Sequence, residues 1–177
     1  MRLWTRLAPL LVAVVASVHA QNLPGFRANE TCKTAIDAEI GRGSKMKEPP
    51  SNPVMKDFYG TVTFNGTFNG MAATIIYLCS GTKASGGLVG SQLIYIERPN
   101  QNEVSREFAR QRDLLQAQLG SPCREFADSH PRVVWKRDPG FFTLLNWSPG
   151  GGPEPKWSVI IQTFHPENPS AMGCPSD

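Results

Sequence analysis

FYGTVTFNGTFNGMAATIIYLC, residues 58–79, is the stretch on which the fold reading turns. Phe58, Gly60, Val62, Phe64, Gly66 and Phe68 share one parity; Tyr59, Thr61, Thr63, Asn65 and Thr67 share the other. That alternation is a strand with one apolar and one polar face. Two Asn-Gly pairs fall inside it, and Asn-Gly is the strongest short hairpin signal. A turn at Asn65-Gly66 leaves only a stub of strand before the second pair. A turn at Asn69-Gly70 keeps the alternation whole and makes Met71 to Cys79 the return strand, with Gly66 at a bulge inside the first.

Outward from this hairpin, Ser91 to Glu97 reads as a third strand after a glycine-rich loop over residues 81–90. Asn100 to Gly120 is a helix. Asn100 with Glu103 forms a capping box, Asn102 being the competing cap. Val104, Phe108, Gln111, Leu115 and Leu119 share one stripe, and Gly120 with Pro122 stops the helix. Glu103 and Glu107, four apart, read as a solvated face. Arg132 to Lys136, Phe141 to Trp147 and Trp157 to Phe164 are three further strands. On the N-terminal side, Thr31 to Ile40 makes a short helix with Ala35, Ile36 and Ile40 at helical spacing, and residues 41–53 read as a Pro/Gly-rich linker. The expected fold is α+β: an antiparallel sheet of about six strands, βββ-α-βββ along the chain, with the main helix on one face.

Arg2 and Arg6, the apolar run Leu7 to Val18 and the end Val18-His19-Ala20 are the three parts of a secretory signal. The run is too short for a spanning helix, which needs about 20 apolar residues. The expected organisation is therefore a signal peptide over residues 1–20, a leader with the short helix and linker over 21–57, and a single domain over 58–177. Two of the 18 basic residues leave with the signal while all 15 acidic ones stay, so the mature charge is about +1. Such a chain has no electrostatic case for nucleic acid or anionic lipid, and no stable membrane insertion is expected after cleavage. Four cysteines follow the signal: Cys32, Cys79, Cys123 and Cys174. An even number in an oxidising compartment points to two disulfides. The wide spacing disfavours zinc, which is usually held by a close pair. Cys32–Cys174, tying the ends, with Cys79–Cys123 is the favoured pairing of three.

The chain carries no Gly-x-Ser-x-Gly elbow, His-Glu-x-x-His, P-loop or EF-hand loop, and no cofactor is expected. His130 and His165, each before a proline, read as turn residues; with Asp128 they are the first suspects should the protein be a hydrolase. Cys123 beside His130 reads as a disulfide cysteine and not as a nucleophile, which would have to stay reduced. The aromatics Trp135, Phe141, Phe142, Trp147, Trp157 and Phe164 mostly fill the space between helix and sheet. Trp147 and Trp157 also flank a loop containing Gly151 and Glu154, and an aromatic at each base of such a loop can frame a binding edge. Asn29, Asn65 and Asn146 head glycosylation sequons, of use only on a eukaryotic secretory route. The expectation is an exported, non-catalytic binding protein, an inhibitor or immunity-type protein acting on a protein partner in the periplasm or extracellular space. A small secreted hydrolase and an envelope structural protein are the alternatives.

Overall fold

The computed structural model describes residues 31–47, 60–80, 88–137, 140–149, 156–166 and 169–174. The expected signal peptide, Asn29, Gly151 and Glu154 lie outside the described residues. The chain runs α1 (Cys32–Gly41), β1 (Lys45–Met46), β2 (Thr61–Phe68), β3 (Met71–Ser80), β4 (Leu88–Arg98), α2 (Gln101–Leu119), β5 (Arg124–Phe126), β6 (Arg132–Arg137), β7 (Phe141–Pro149) and β8 (Trp157–Phe164), with a 3-10 turn at Pro169–Met172. All eight strands form one antiparallel sheet in the order β1-β2-β3-β4-β8-β7-β6-β5. The fold is α+β as expected, but with eight strands instead of about six and a ββββ-α-ββββ order after α1. The additions are the edge strands β1 and β5, two and three residues long. A strand so short has no readable alternation.

The Asn69-Gly70 turn forms, with Asn69 at φ 48° and Gly70 at φ 78°. Positive φ at both central residues matches the twist of the flanking strands. Gly66 is not at a bulge, because the β2–β3 register runs unbroken from Thr61↔Leu78 to Phe68↔Met71. The irregularity falls at Leu78/Cys79, in the β3–β4 pairing. Glycine is needed at position 66 for another reason: a Cβ there would run into Ser44 Oγ.

One apolar ladder crosses six strands in register: Phe64, Ile75, Ile94, Ile161, Leu145 and Val133. All six are buried, and they share a cluster with Val104, Phe108 and Leu115 of α2 and with Cys32 and Ala35 of α1. Both helices therefore lie on this face, the inner face. Each fully buried aliphatic or aromatic side chain contributes about 1.5–3 kcal/mol. The capping box forms at Asn100, whose Oδ1 accepts from Glu103 N at 2.9 Å. Gly120, at φ 81°, ends the helix, and its carbonyl accepts from Trp135 Nε1 at 3.0 Å. At about 1.5 Å per residue, α2 is about 28 Å long. That exceeds the roughly 19 Å of sheet between β4 and β5, so the helix carries the chain from the centre of the sheet to its far edge.

Three expectations need correction. Cys32 pairs with Cys79 and Cys123 with Cys174, not Cys32 with Cys174 and Cys79 with Cys123. The strand order sets this: α1 packs beside β3, and the tail after β8 returns to β5. The stripe on α1 is Cys32, Ala35 and Glu39, while Ile40 is 52% exposed. The disulfide and a set of hydrogen bonds to Glu39 fix that rotation. Finally, Glu107 is buried and not on a solvated face.

Candidate interaction surface

Two buried carboxylates lock the helices to the sheet. Glu39 accepts from Tyr77 Oη at 2.8 Å and Ser44 Oγ at 2.6 Å, and it pairs with Arg42. Tyr77 Oη in turn accepts from Gln92 Nε2 at 2.9 Å. Burial, followed by the Glu39 charge, pushes the Tyr77 phenol well above its ordinary range. Burial alone would lower Arg42, but its hydrogen bond and charge contact with Glu39 leave it raised. On α2, Glu107 accepts from Arg98 at 2.7 Å, Gln111 at 2.7 Å and Arg110 at 3.0 Å. Gln111 also accepts from Asn69 Nδ2 at 2.8 Å, and Arg110 donates to Asn69 O at 2.7 Å, which ties the helix to the hairpin turn. Burial would raise the Glu107 carboxyl, but its bonds to Gln111, Arg98 and Arg110 hold it below the usual value. Every oxygen in both sets has a partner, and their chemistry is that of clamps.

The aromatics expected to frame a binding edge come together. The Trp147 and Trp157 rings are 5.2 Å apart, and the His130 ring is 6.3 Å from Trp147. Arg98 lies opposite Trp157 in the β4–β8 register. This corner is on the inner face, however, with Trp147 buried and Trp157 packed against the core.

The suspected catalytic residues do not assemble. His165 stacks edge-on against Phe141 at 5.4 Å, while His130 lies by Trp147. Phe141 and Trp147 are six residues apart on β7, about 20 Å along an extended strand, so the two histidines sit at opposite ends of the sheet. Asp128 accepts from His130 N at 2.9 Å and pairs with Arg132 at 3.0 Å. The His130 N–H, then Arg132, hold its carboxyl low. It closes the β5–β6 turn. Among the described residues no group of three or more His, Cys, Asp or Glu side chains is placed to hold a metal. No helix among them is long and apolar enough to cross a membrane.

The opposite, outer face of the sheet carries the unexpected feature. An antiparallel sheet with helices on one side commonly turns polar residues to the other. Here one outer row reads Ile76, Leu93, Gln162, Leu144 and Val134 across β3, β4, β8, β7 and β6. The rows on either side contain Tyr95 with Ile160, and Leu78 with Phe164 and Phe142. So two of the aromatics assigned to the helix–sheet space, Phe142 and Phe164, face the other way. Val134 and Phe142 are 2% exposed and stand outside the main core cluster. Ile76, Leu93, Tyr95, Leu144, Ile160 and Phe164 are half-buried, and Leu78 is 39% exposed. Centre to centre, these seven side chains span roughly 14 Å across four strands and roughly 14 Å along them, about 200 Å².

The margins of this face are polar. At the β5 side Arg124 and Arg132 lie over the Phe126 ring, 5.0 Å and 4.4 Å from its centroid. Arg124 also donates to Gly173 O at 3.3 Å, so the tail brought in by Cys123–Cys174 meets the face there. Asn65 is exposed on the outer side of β2, and Asn146 is half-buried between Ile160 and Arg132. Asn146 Oδ1 and Ser91 Oγ are enclosed with no hydrogen-bond partner among the described residues.

No family model matches the chain, and neither does any curated protein or any solved structure.

Proposed function

We propose that this chain is an exported, non-catalytic binding protein, of the inhibitor or immunity type, and that its protein partner docks on the outer face of the sheet. The observation that carries the reading is the apolar centre of that face, Ile76, Leu78, Leu93, Tyr95, Leu144, Ile160 and Phe164. A contiguous apolar area left partly exposed on one face often marks an interaction site. A specific interface covers about 800 Å² of each partner, with an apolar core inside a polar rim. Seven partly exposed apolar side chains spanning about 200 Å² can form the apolar centre of such an interface. Two disulfides are compatible with life in an oxidising compartment and stiffen the scaffold, which lowers the entropic cost of binding. The hydrolase alternative, in the form built on His130 with His165, draws no support from histidines at opposite ends of β7.

The test is partner capture from the native exported fraction with three forms of the mature chain. Wild type and Arg106→Ala, altered on the exposed side of α2, should retain one stoichiometric partner. The double variant Leu93→Thr with Ile160→Thr puts a strand-favouring β-branched residue at both positions and should lose it. Equal retention by the double variant, once its fold is verified by circular dichroism, removes the outer face from consideration.

A further inference from the structure

We infer that the partner of the outer face presents an acidic margin, received by Arg124 and Arg132 where they stack on Phe126. The inference rests on the docking reading above and gives it a chemistry. The described side chains on or bordering the outer face include five cations, Lys45, Arg124, Arg132, Lys136 and Lys156. They include two carboxylates, Asp128 and Glu97, both ion-paired. Among the described side chains there, cations outnumber carboxylates. These described cations border the side that is apolar at its centre. Guanidinium groups held over an aromatic ring are pre-oriented donors for carboxylates, and arginine and aromatic residues are enriched at interface hot spots.

The same charge chooses among occupants. Two copies of a face bordered by more cations than carboxylates repel when brought together, which disfavours a second copy of this chain. An anionic bilayer would attract the cations, but membrane-surface proteins sink apolar groups about 5–10 Å into the lipid. These side chains are instead half-sunk between neighbouring strands. A protein with an apolar centre and acidic rim satisfies both features.

The experiment places a photo-crosslinking phenylalanine derivative at Tyr95 in the full chain, expressed in its native host, with the same group at Arg106 as the control position. One dominant protein adduct is expected at 95 and none at 106. Its yield should fall at least tenfold in 0.5 M salt, within the range by which steering accelerates association. It should fall as much in Arg124→Glu with Arg132→Glu, and less in the milder Arg124→Gln with Arg132→Gln. An adduct at 95 indifferent to salt and to both variants overturns the acidic margin and leaves the docking face standing. No adduct at 95 overturns the docking face and the inference together. A self-adduct, or binding of the purified chain to phosphatidylglycerol vesicles in place of a protein adduct, overturns the partner chemistry in favour of those occupants.

Discussion

Replacing Tyr77 by Phe tests whether the clamp between α1 and the sheet carries the stability its geometry implies. The Tyr77 hydroxyl donates to Glu39 Oε2 at 2.8 Å and accepts from Gln92 Nε2 at 2.9 Å. Glu39 and Gln92 are each 1% exposed, so water cannot replace what is removed. A hydrogen bond to a charged group is worth about 1.5–3 kcal/mol, and a buried amide left without its acceptor costs about 1–3 kcal/mol. Glu39 keeps Ser44 and Arg42, which limits the loss. The expected cost of Tyr77→Phe is therefore about 3 kcal/mol, or roughly 6–12 °C in melting temperature for a chain of this size. Tyr77→Phe combined with Gln92→Leu removes both partners of the orphaned bond and should recover about 1 kcal/mol, because the unmet amide goes with it. Urea unfolding followed by tryptophan fluorescence, with disulfides intact, measures both. A loss below about 1 kcal/mol for the single variant, or no recovery in the double, refutes the clamp.

Peptide mapping of unreduced protein should find Cys32 joined to Cys79 and Cys123 to Cys174. Removing either bridge should cost about 4 kcal/mol in the chain-entropy model, since they close loops of 47 and 51 residues. Ser91→Ala should be neutral or stabilise by about 1 kcal/mol in the same unfolding assay, because an enclosed hydroxyl without a partner is removed. A clear loss would mean that the hydroxyl is satisfied in solution. The Glu107 carboxyl titrates below its ordinary value of 4.5 in the folded chain. Its contribution is therefore complete above the unfolded pKa and is lost as pH falls through the folded one. Unfolding midpoints from pH 6 downward should drop in this acid window, and Glu107→Gln should flatten that part of the curve. An unchanged acid slope in the variant would show that Glu107 does not drive it.

The parts legible in the sequence were those written in local chemistry. The alternation through Phe64 and Phe68, the Asn69-Gly70 turn and the Asn100 and Gly120 caps all act on near neighbours, and each formed where expected. What was not legible depends on distant partners. Glu39 is acceptable in a buried stripe because Tyr77 reaches it from β3, and Glu107 because Arg98 reaches it from β4 to join its helix neighbours Gln111 and Arg110. The cysteine pairing follows the strand order, which spacing does not encode. The outer face was hidden for a related reason: β7 is apolar on both parities from Phe141 to Leu145, apart from Thr143. A strand apolar on both sides has no alternation from which to assign faces.

The sheet is two meanders sewn along one seam, β4 against β8. Each meander has its own staple, Cys32–Cys79 in the first and Cys123–Cys174 in the second. On the export route proposed above, the first two thiols meet each other before the third exists to compete. Of the eight described strands, β8 is the last in the chain, and it must settle into the middle of the sheet. Oxidation of the first pair can run ahead of that long-range closure without scrambling. Pulse-labelled trapping of nascent thiols should catch Cys32 and Cys79 already joined while Cys123 is still reduced.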